Sequence, residues 1–337
     1  MNCIKLEDAN NKLGIKPNTI KNLIFVYSMP KVGSTSIITS LRLFAINKFM
    51  IFHLHSEIML EVLSNITDVS INDIILYNKS IGHTVYVIDV YRTPIELKIS
   101  NFFENIGAFH FNNVDSSLNK YDIDLVITRF NNICLHIATG DHFMDKYNIT
   151  LPDKFDHEKG YIMVIENDIK YIKLRLKNSN EWGQILSELL NTDIKIVKEY
   201  ETNRKQIKEL YALFKDKYKI PVNVLEEIKT CKYLNYYYSD DERNEYINKW
   251  SNNMSDSHAY YNVDEYNLYN KISIENRHTN EIQIHHYSDE GCRCKFCNIK
   301  RHNTKKNFNG KCKIIHERMV KVYIPPTISQ KLKTLIM

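Results

Sequence analysis

The sequence predicts an α/β fold: a parallel sheet with crossover helices, followed by a helical C-terminal part and a small Cys/His-rich tail. Three observations predict it. Short apolar runs alternate with helix-period segments in the order strand, helix, strand, helix, strand over the first hundred residues. One apolar run, Leu23 to Val26, leads through "YSMPKVGSTS" straight into a helical pattern. The chain of 337 residues, 43% hydrophobic and 25% charged, can also bury a large core.

Each element follows in order. Residues 1–22 form a polar leader, and Leu23 to Ser28 reads as a buried strand. Ser34 to Lys48 follows as a helix, with Ile37, Ile38, Leu41, Phe44 and Ala45 at helical spacing. Phe49 to Leu54 is a second strand that leads into His55, and Glu57 to Leu63 is helical. "TVYVIDVY", Thr84 to Tyr91, is the clearest strand, and Pro94 sits where a first helical turn accepts proline. That helix continues through Ile95, Leu97, Ile99 and Phe102. Tyr121 to Tyr147 reads as helical, and "GYIMVIEND" and "YIKLRLK" as two strands, the first an edge hairpin partner. Helices are expected at Glu181 to Leu190, Asn203 to Tyr218, Val222 to Thr230 and Asp240 to Trp250. The main domain is therefore 23–250, with a tyrosine-rich irregular linker over 251–290 and a basic tail over 291–337. No internal repeat is visible.

Composition narrows the function classes. A net charge of +5 fits an anionic substrate and is too weak to argue for nucleic acid alone, so nucleic acid is disfavoured as a partner. Met1 to Lys21 is polar, without the apolar segment of a secretory signal, and no run approaches a membrane span. Of the seven cysteines, Cys3, Cys134 and Cys231 are scattered while Cys292, Cys294, Cys297 and Cys312 crowd one segment, unlike a secreted disulfide framework. The expectation is a soluble cytoplasmic protein.

The stretch after the first strand has the layout of a phosphate-binding loop with the wrong order. A triphosphate loop places lysine after its second glycine, whereas Lys31 precedes Gly33. A strand turning into a helix aims backbone amides and the positive end of the helix dipole at one spot. Gly33 lets the backbone approach an anion, Ser34, Thr35 and Ser36 add hydroxyl donors, and Lys31 adds a mobile charge. The ordinary alternative is a plain strand-to-helix turn with Ser34 as N-cap. A second place breaks the tie: Arg92 ends the strand "VYVIDVY", and Ser100 follows eight residues later on the helix, where it can face back towards the strand end.

"MPKVGSTS" together with R-T-P-x5-S resembles the sulfotransferase superfamily. "VIDVYRTPIELKISNFFENI", "KFDHEKGY", "KLRLKNSNEWGQIL" and "YYYSDDERNEYINKW" are further similar to its capsular polysaccharide synthesis branch, over roughly Leu23 to Trp250. The resemblance implies a P-loop-like sulfotransferase fold and 3′-phosphoadenosine 5′-phosphosulfate as co-substrate. It implies that Lys31, Gly33, Ser34, Thr35 and Ser36 hold the 5′-phosphosulfate, and that Arg92 and Ser100 hold the 3′-phosphate. The acceptor would be a hydroxyl-bearing compound such as a glycan.

Sulfuryl transfer needs an in-line hydroxyl, neutralisation of the leaving phosphate and removal of a proton. Lys31 suits the charge. "FHLHSE" offers His55 as the first candidate base and His53 as the second, with Glu57 beside them. Either histidine could equally cap the strand or pack under the loop. Trp182 reads as a core residue, Glu166 as a structural acid, and Asn203-Arg204-Lys205 as a solvent-exposed helix start.

In the tail, Cys294-x2-Cys297 and Cys312-x3-His316 match two ligand pairs of a tetrahedral zinc site, with Cys292 and His302 as spare candidates. Two other classes compete with the enzyme reading. One is a P-loop nucleotide kinase or NTPase, disfavoured by the missing G-K-[ST] order. The other is a non-catalytic zinc-containing module that binds nucleic acid or protein.

Overall fold

The computed structural model describes residues 3–15, 22–57, 59–60, 66–104, 106–111, 115–134, 140–198 and 207–268. Its centre is a five-stranded sheet of β1 (Asn22–Tyr27), β2 (Met50–Leu54), β3 (Thr84–Tyr91), β4 (Tyr161–Glu166) and β5 (Ile169–Arg175), in the order β2-β1-β3-β5-β4. Four strands run parallel, and β4 closes one edge as the antiparallel hairpin partner of β5. The protein is thus α/β with a mostly parallel sheet, as the strand–helix alternation predicts.

Both faces of the parallel part of the sheet are buried, which is why its strands read as apolar runs, while edge strand β4 leaves Met163 and Ile165 exposed. Leu23, Phe25 and Tyr27 of β1 point into one core, and Ile24 and Val26 into the other. The second core receives α2 (Ser34–Phe44) through Ile37, Ile38 and Leu41, and also holds Trp182. Helix α1 (Cys3–Lys12) precedes the sheet within the polar opening segment; Leu6 and Ala9 are buried, and Asn10 exchanges two side-chain hydrogen bonds with Asn78.

Asn78 belongs to α3 (Ile71–Ser80), a helix the periodicity passed over. A capping box starts it: Ser70 accepts from the Asp73 amide, and Asp73 accepts from the Ser70 amide. Helix α4 (Pro94–Phe102) follows β3 with proline in its first turn. The helix expected over Tyr121 to Tyr147 is broken. The chain forms α5 (Ile123–Ile133), then restarts as the short α6 (His142–Asp145) after Gly140, with Asp141 as an extended N-cap accepting from the Met144 amide. Gly140-Asp141 is a breaker followed by a cap, and it outweighs the apolar spacing.

Helices α7 (Trp182–Leu190), α8 (Lys208–Lys217), α9 (Val222–Lys229), α10 (Lys232–Tyr237) and α11 (Asp240–Ser251) follow, and the short strands Ile220–Pro221 and Met254–Ser255 pair in parallel beside them. The predicted start at Asn203 lies outside the described residues, as does much of Glu57 to Leu63, of which Glu57, Met59 and Leu60 are helical. Packed structure continues past Trp250: Asn223 and Ala259 exchange hydrogen bonds of 2.7 and 3.1 Å, and Ala259 is buried.

Candidate active site

The chain leaves β1 for β2 on one side and places β3 on the other, so the strand order reverses at β1. In open parallel sheets such a reversal opens a crevice beyond the carboxyl ends of the two diverging strands. The loop from Ser28 to Gly33 follows β1, and Arg92 follows β3. The sequence-predicted anion residues therefore flank one crevice.

Within the loop, Lys31 and Gly33 both take left-handed backbone conformations, with φ of 67° and 89°. Alternation of this kind turns successive amides towards one concavity. Gly33 is itself the N-cap of α2 and brings no side chain to cap the helix start. Ser34 is thus the first helical residue and not the cap. A Cβ on Gly33 would lie 3.0 Å from Leu176 Cδ1 and 3.0 Å from the Trp182 ring. Trp182 is buried and fixed by a 3.1 Å hydrogen bond from its Nε1 to the Arg175 carbonyl. The expected core tryptophan is therefore the floor of the loop.

The other side of the crevice meets the loop directly. Arg92 donates from Nη1 to the Lys31 carbonyl at 2.6 Å, bracing the left-handed turn. Burial lowers the pKa of its guanidinium, against the opposing influence of Tyr211, Glu96 and Tyr246. Ser100 is buried on α4. Glu104 lies four residues further on the same face, just past the helix end, and its carboxylate forms an ion pair with the Lys31 ammonium. The sequence reading missed Glu104, since nothing marks an acid after a helix as the partner of a lysine 73 residues away.

The two histidines differ in setting. His53 is buried, and its Nε2 lies 3.0 Å from Ser34 Oγ. Ser34 thus turns inward, while Thr35 and Ser36 stay partly exposed. His55 is half-buried, with Nδ1 2.7 Å from the Ser28 carbonyl. A carbonyl only accepts, so Nδ1 carries the hydrogen and the lone pair of neutral His55 sits on Nε2. The His55 carbonyl in turn accepts from Nε2 of His142 at 2.9 Å. Burial pushes the His142 pKa down to about 4, which keeps that ring neutral. The His53 and His55 rings meet edge to face at 4.5 Å. Glu57 points outward, accepting from the Tyr27 hydroxyl at 3.2 Å and pairing with Lys146 at 3.7 Å.

Beneath this layer lies a cluster that sequence reasoning also missed. Asp89 and Lys173 are direct cross-strand partners in β3 and β5. Lys173 donates to Asp89 at 2.7 Å and to Asp141, and all three are buried. The signal was present in two charges at inward positions of the apolar runs "TVYVIDVY" and "YIKLRLK". Glu166 accepts from the Thr150 amide at 2.8 Å, a structural contact.

Cys294, Cys297, Cys312 and His316 lie outside the described residues, as do Asn203-Arg204-Lys205. Among the described residues no group of three or more His, Cys, Asp or Glu is arranged to hold a metal, and no helix is long and apolar enough to cross a membrane. Chemically, the crevice can neutralise a polyanion with Lys31, Arg92 and a helix start, and take up a proton on imidazole. No family model, curated protein or solved structure matches the chain.

Proposed function

We propose that the protein is a sulfotransferase that moves a sulfuryl group from 3′-phosphoadenosine 5′-phosphosulfate to a hydroxyl of a glycan or other acceptor. The observation that supports this most is the meeting of Lys31 and Arg92 at the carboxyl ends of β1 and β3, joined through the Lys31 carbonyl. Two cationic positions on adjacent loops suit a ligand with two anionic ends. In this reading the left-handed loop, Gly33 and the hydroxyls of Ser34 to Ser36 hold the 5′ end, and Arg92 with Ser100 holds the 3′-phosphate.

The acceptor oxygen attacks sulfur, and the sulfur–oxygen bond to the 5′-phosphate breaks. The electron pair leaves on the phosphate of adenosine 3′,5′-bisphosphate, where Lys31 neutralises it. The acceptor proton goes to His55 Nε2, the basic nitrogen of the tautomer that donates from Nδ1 to the Ser28 carbonyl. His53, buried against Ser34, is the second choice. The tail carries the proposed zinc site. A nucleotide kinase is disfavoured because Asp89, the acid on β3, is buried in an ion pair with Lys173.

Thermal shift with matched concentrations of adenosine 3′,5′-bisphosphate, ATP and RNA tests the reading. The bisphosphate should stabilise most. Equal or greater stabilisation by ATP would remove the donor assignment, and stabilisation by RNA alone would favour the binding-module class.

A further inference from the structure

The Lys31–Glu104 pair has a consequence for ligand choice. We propose that Glu104 is a built-in competitor for the anion, setting the affinity threshold that any ligand of the loop must exceed. The inference uses the anion loop of the sulfotransferase reading but not the identity of the anion.

The Lys31 side chain is 14% exposed and that of Glu104 35%. Between partly dehydrated groups the attraction is stronger than in bulk water. The Glu104 carboxylate is held by its pair with Lys31, and the preceding residue, Phe103, is fully buried and anchors the backbone there. The carboxylate therefore does not trail in solvent as most surface acids do. An anion that seeks the Lys31 ammonium must displace a carboxylate already there.

A small anion exchanges one charge partner for another and gains little. A ligand that also engages Arg92 and the glycine-started N-terminus of α2 makes contacts that Glu104 cannot replace. The pair thus keeps inorganic sulfate and phosphate below the binding threshold and admits extended, multiply charged ligands such as a nucleoside bisphosphate or phosphosulfate. Glu104 thus acts through Lys31 to raise the affinity threshold for every anion of the loop alike.

The test is calorimetric titration of the full chain with inorganic sulfate, with adenosine 3′,5′-bisphosphate and with ATP. Glu104→Gln should tighten the first two by tenfold or more, and Glu104→Ala should move them in the same direction. In a Lys31→Met background the same Glu104→Gln change should alter affinity by less than about threefold. Unchanged or weaker binding in Glu104→Gln overturns the proposal. So does an undiminished gain in the Lys31→Met background, which would mark a general field effect. If sulfate tightens while the bisphosphate is bound no better than ATP, this inference stands and the donor assignment falls.

Discussion

Replacing Gly33 with alanine separates two demands the loop makes on one residue. The first is conformational: at φ 89° any residue with a Cβ is strained, by roughly 1–2 kcal/mol. The second is steric, because the new methyl would stand 3.0 Å from both Leu176 Cδ1 and the Trp182 ring. Leu176 can swing aside. Trp182 cannot, being 1% exposed and tied to the Arg175 carbonyl. Overpacking of this kind costs about 1–3 kcal/mol. Gly82 supplies the control, since its φ is 94° and nothing lies within 4 Å of its would-be Cβ. Urea unfolding should show Gly33→Ala losing about 1–3 kcal/mol more than Gly82→Ala, with unchanged m-value. Anion binding should fall in the first variant alone. Equal destabilisation of the two would refute the idea that Trp182 floors the loop.

Three further outcomes are expected. Arg92→Ala should weaken adenosine 3′,5′-bisphosphate by about thirtyfold, on the order of 2 kcal/mol for a lost charge-assisted contact. The loss for 5′-AMP, read by calorimetry, should be smaller and due to the unbraced Lys31 carbonyl; equal losses would confine Arg92 to a loop role. His142, with its pKa depressed to about 4, contributes stability that is full above the ordinary value of 6.5 and declines as pH falls towards 4, because the unfolded chain takes the proton first. Comparing the pH dependence of unfolding for His142→Gln and the parent should show that decline reduced in the variant; parallel curves would contradict a buried neutral ring. Purified protein should carry about one zinc per chain, lost on changing Cys294 and Cys297 together to serine, and elemental analysis finding no metal in chelator-free preparations would reject the tail site.

The fold was legible where one physical signal dominated. β3 and α4 were readable because an apolar run interrupted only by Asp89 gives way to a proline-started helix. α3 was not read, although Ile71, Ile74 and Ile75 stand at helical spacing behind the Ser70–Asp73 box; the exposed Leu76 and half-buried Tyr77 widen the apolar run and blur that stripe. The loop residues were legible as types at the right place in a strand–turn–helix unit, yet their pairing was not. Sequence spacing carries no record of the contacts from Arg92 to the Lys31 carbonyl, from Glu104 to Lys31, or from His53 to Ser34. Those contacts depend on how β1, β2 and β3 lie side by side. The tautomer of His55 was hidden for the same reason, because it rests on a carbonyl 27 residues away.

The buried charges below the crevice explain how such contacts are kept in register. Two carboxylates facing one ammonium leave an excess negative charge in the core. Burial, with the repulsion of Asp141, raises the pKa of Asp89 to about 7 against the attraction of Lys173. A buried ionic cluster is a weak source of net stability, and apolar residues of similar volume would often serve as well. Its value here is directional. Asp89 accepts from the Phe143 amide at 3.0 Å, and Asp141 accepts from the Tyr237 hydroxyl at 2.9 Å and caps α6. β3, β5 and α10 are thereby tied to one short segment. That segment carries His142, whose ring holds the His55 carbonyl, and Tyr147, whose hydroxyl donates to the Tyr27 carbonyl at 2.5 Å. The carboxyl ends of β1 and β2 are thus pinned from beneath by directional bonds, while Trp182 supports the loop from its floor. Apolar packing would fill the same space without fixing the angle of the His55 backbone, and that angle decides where its Nε2 lone pair points.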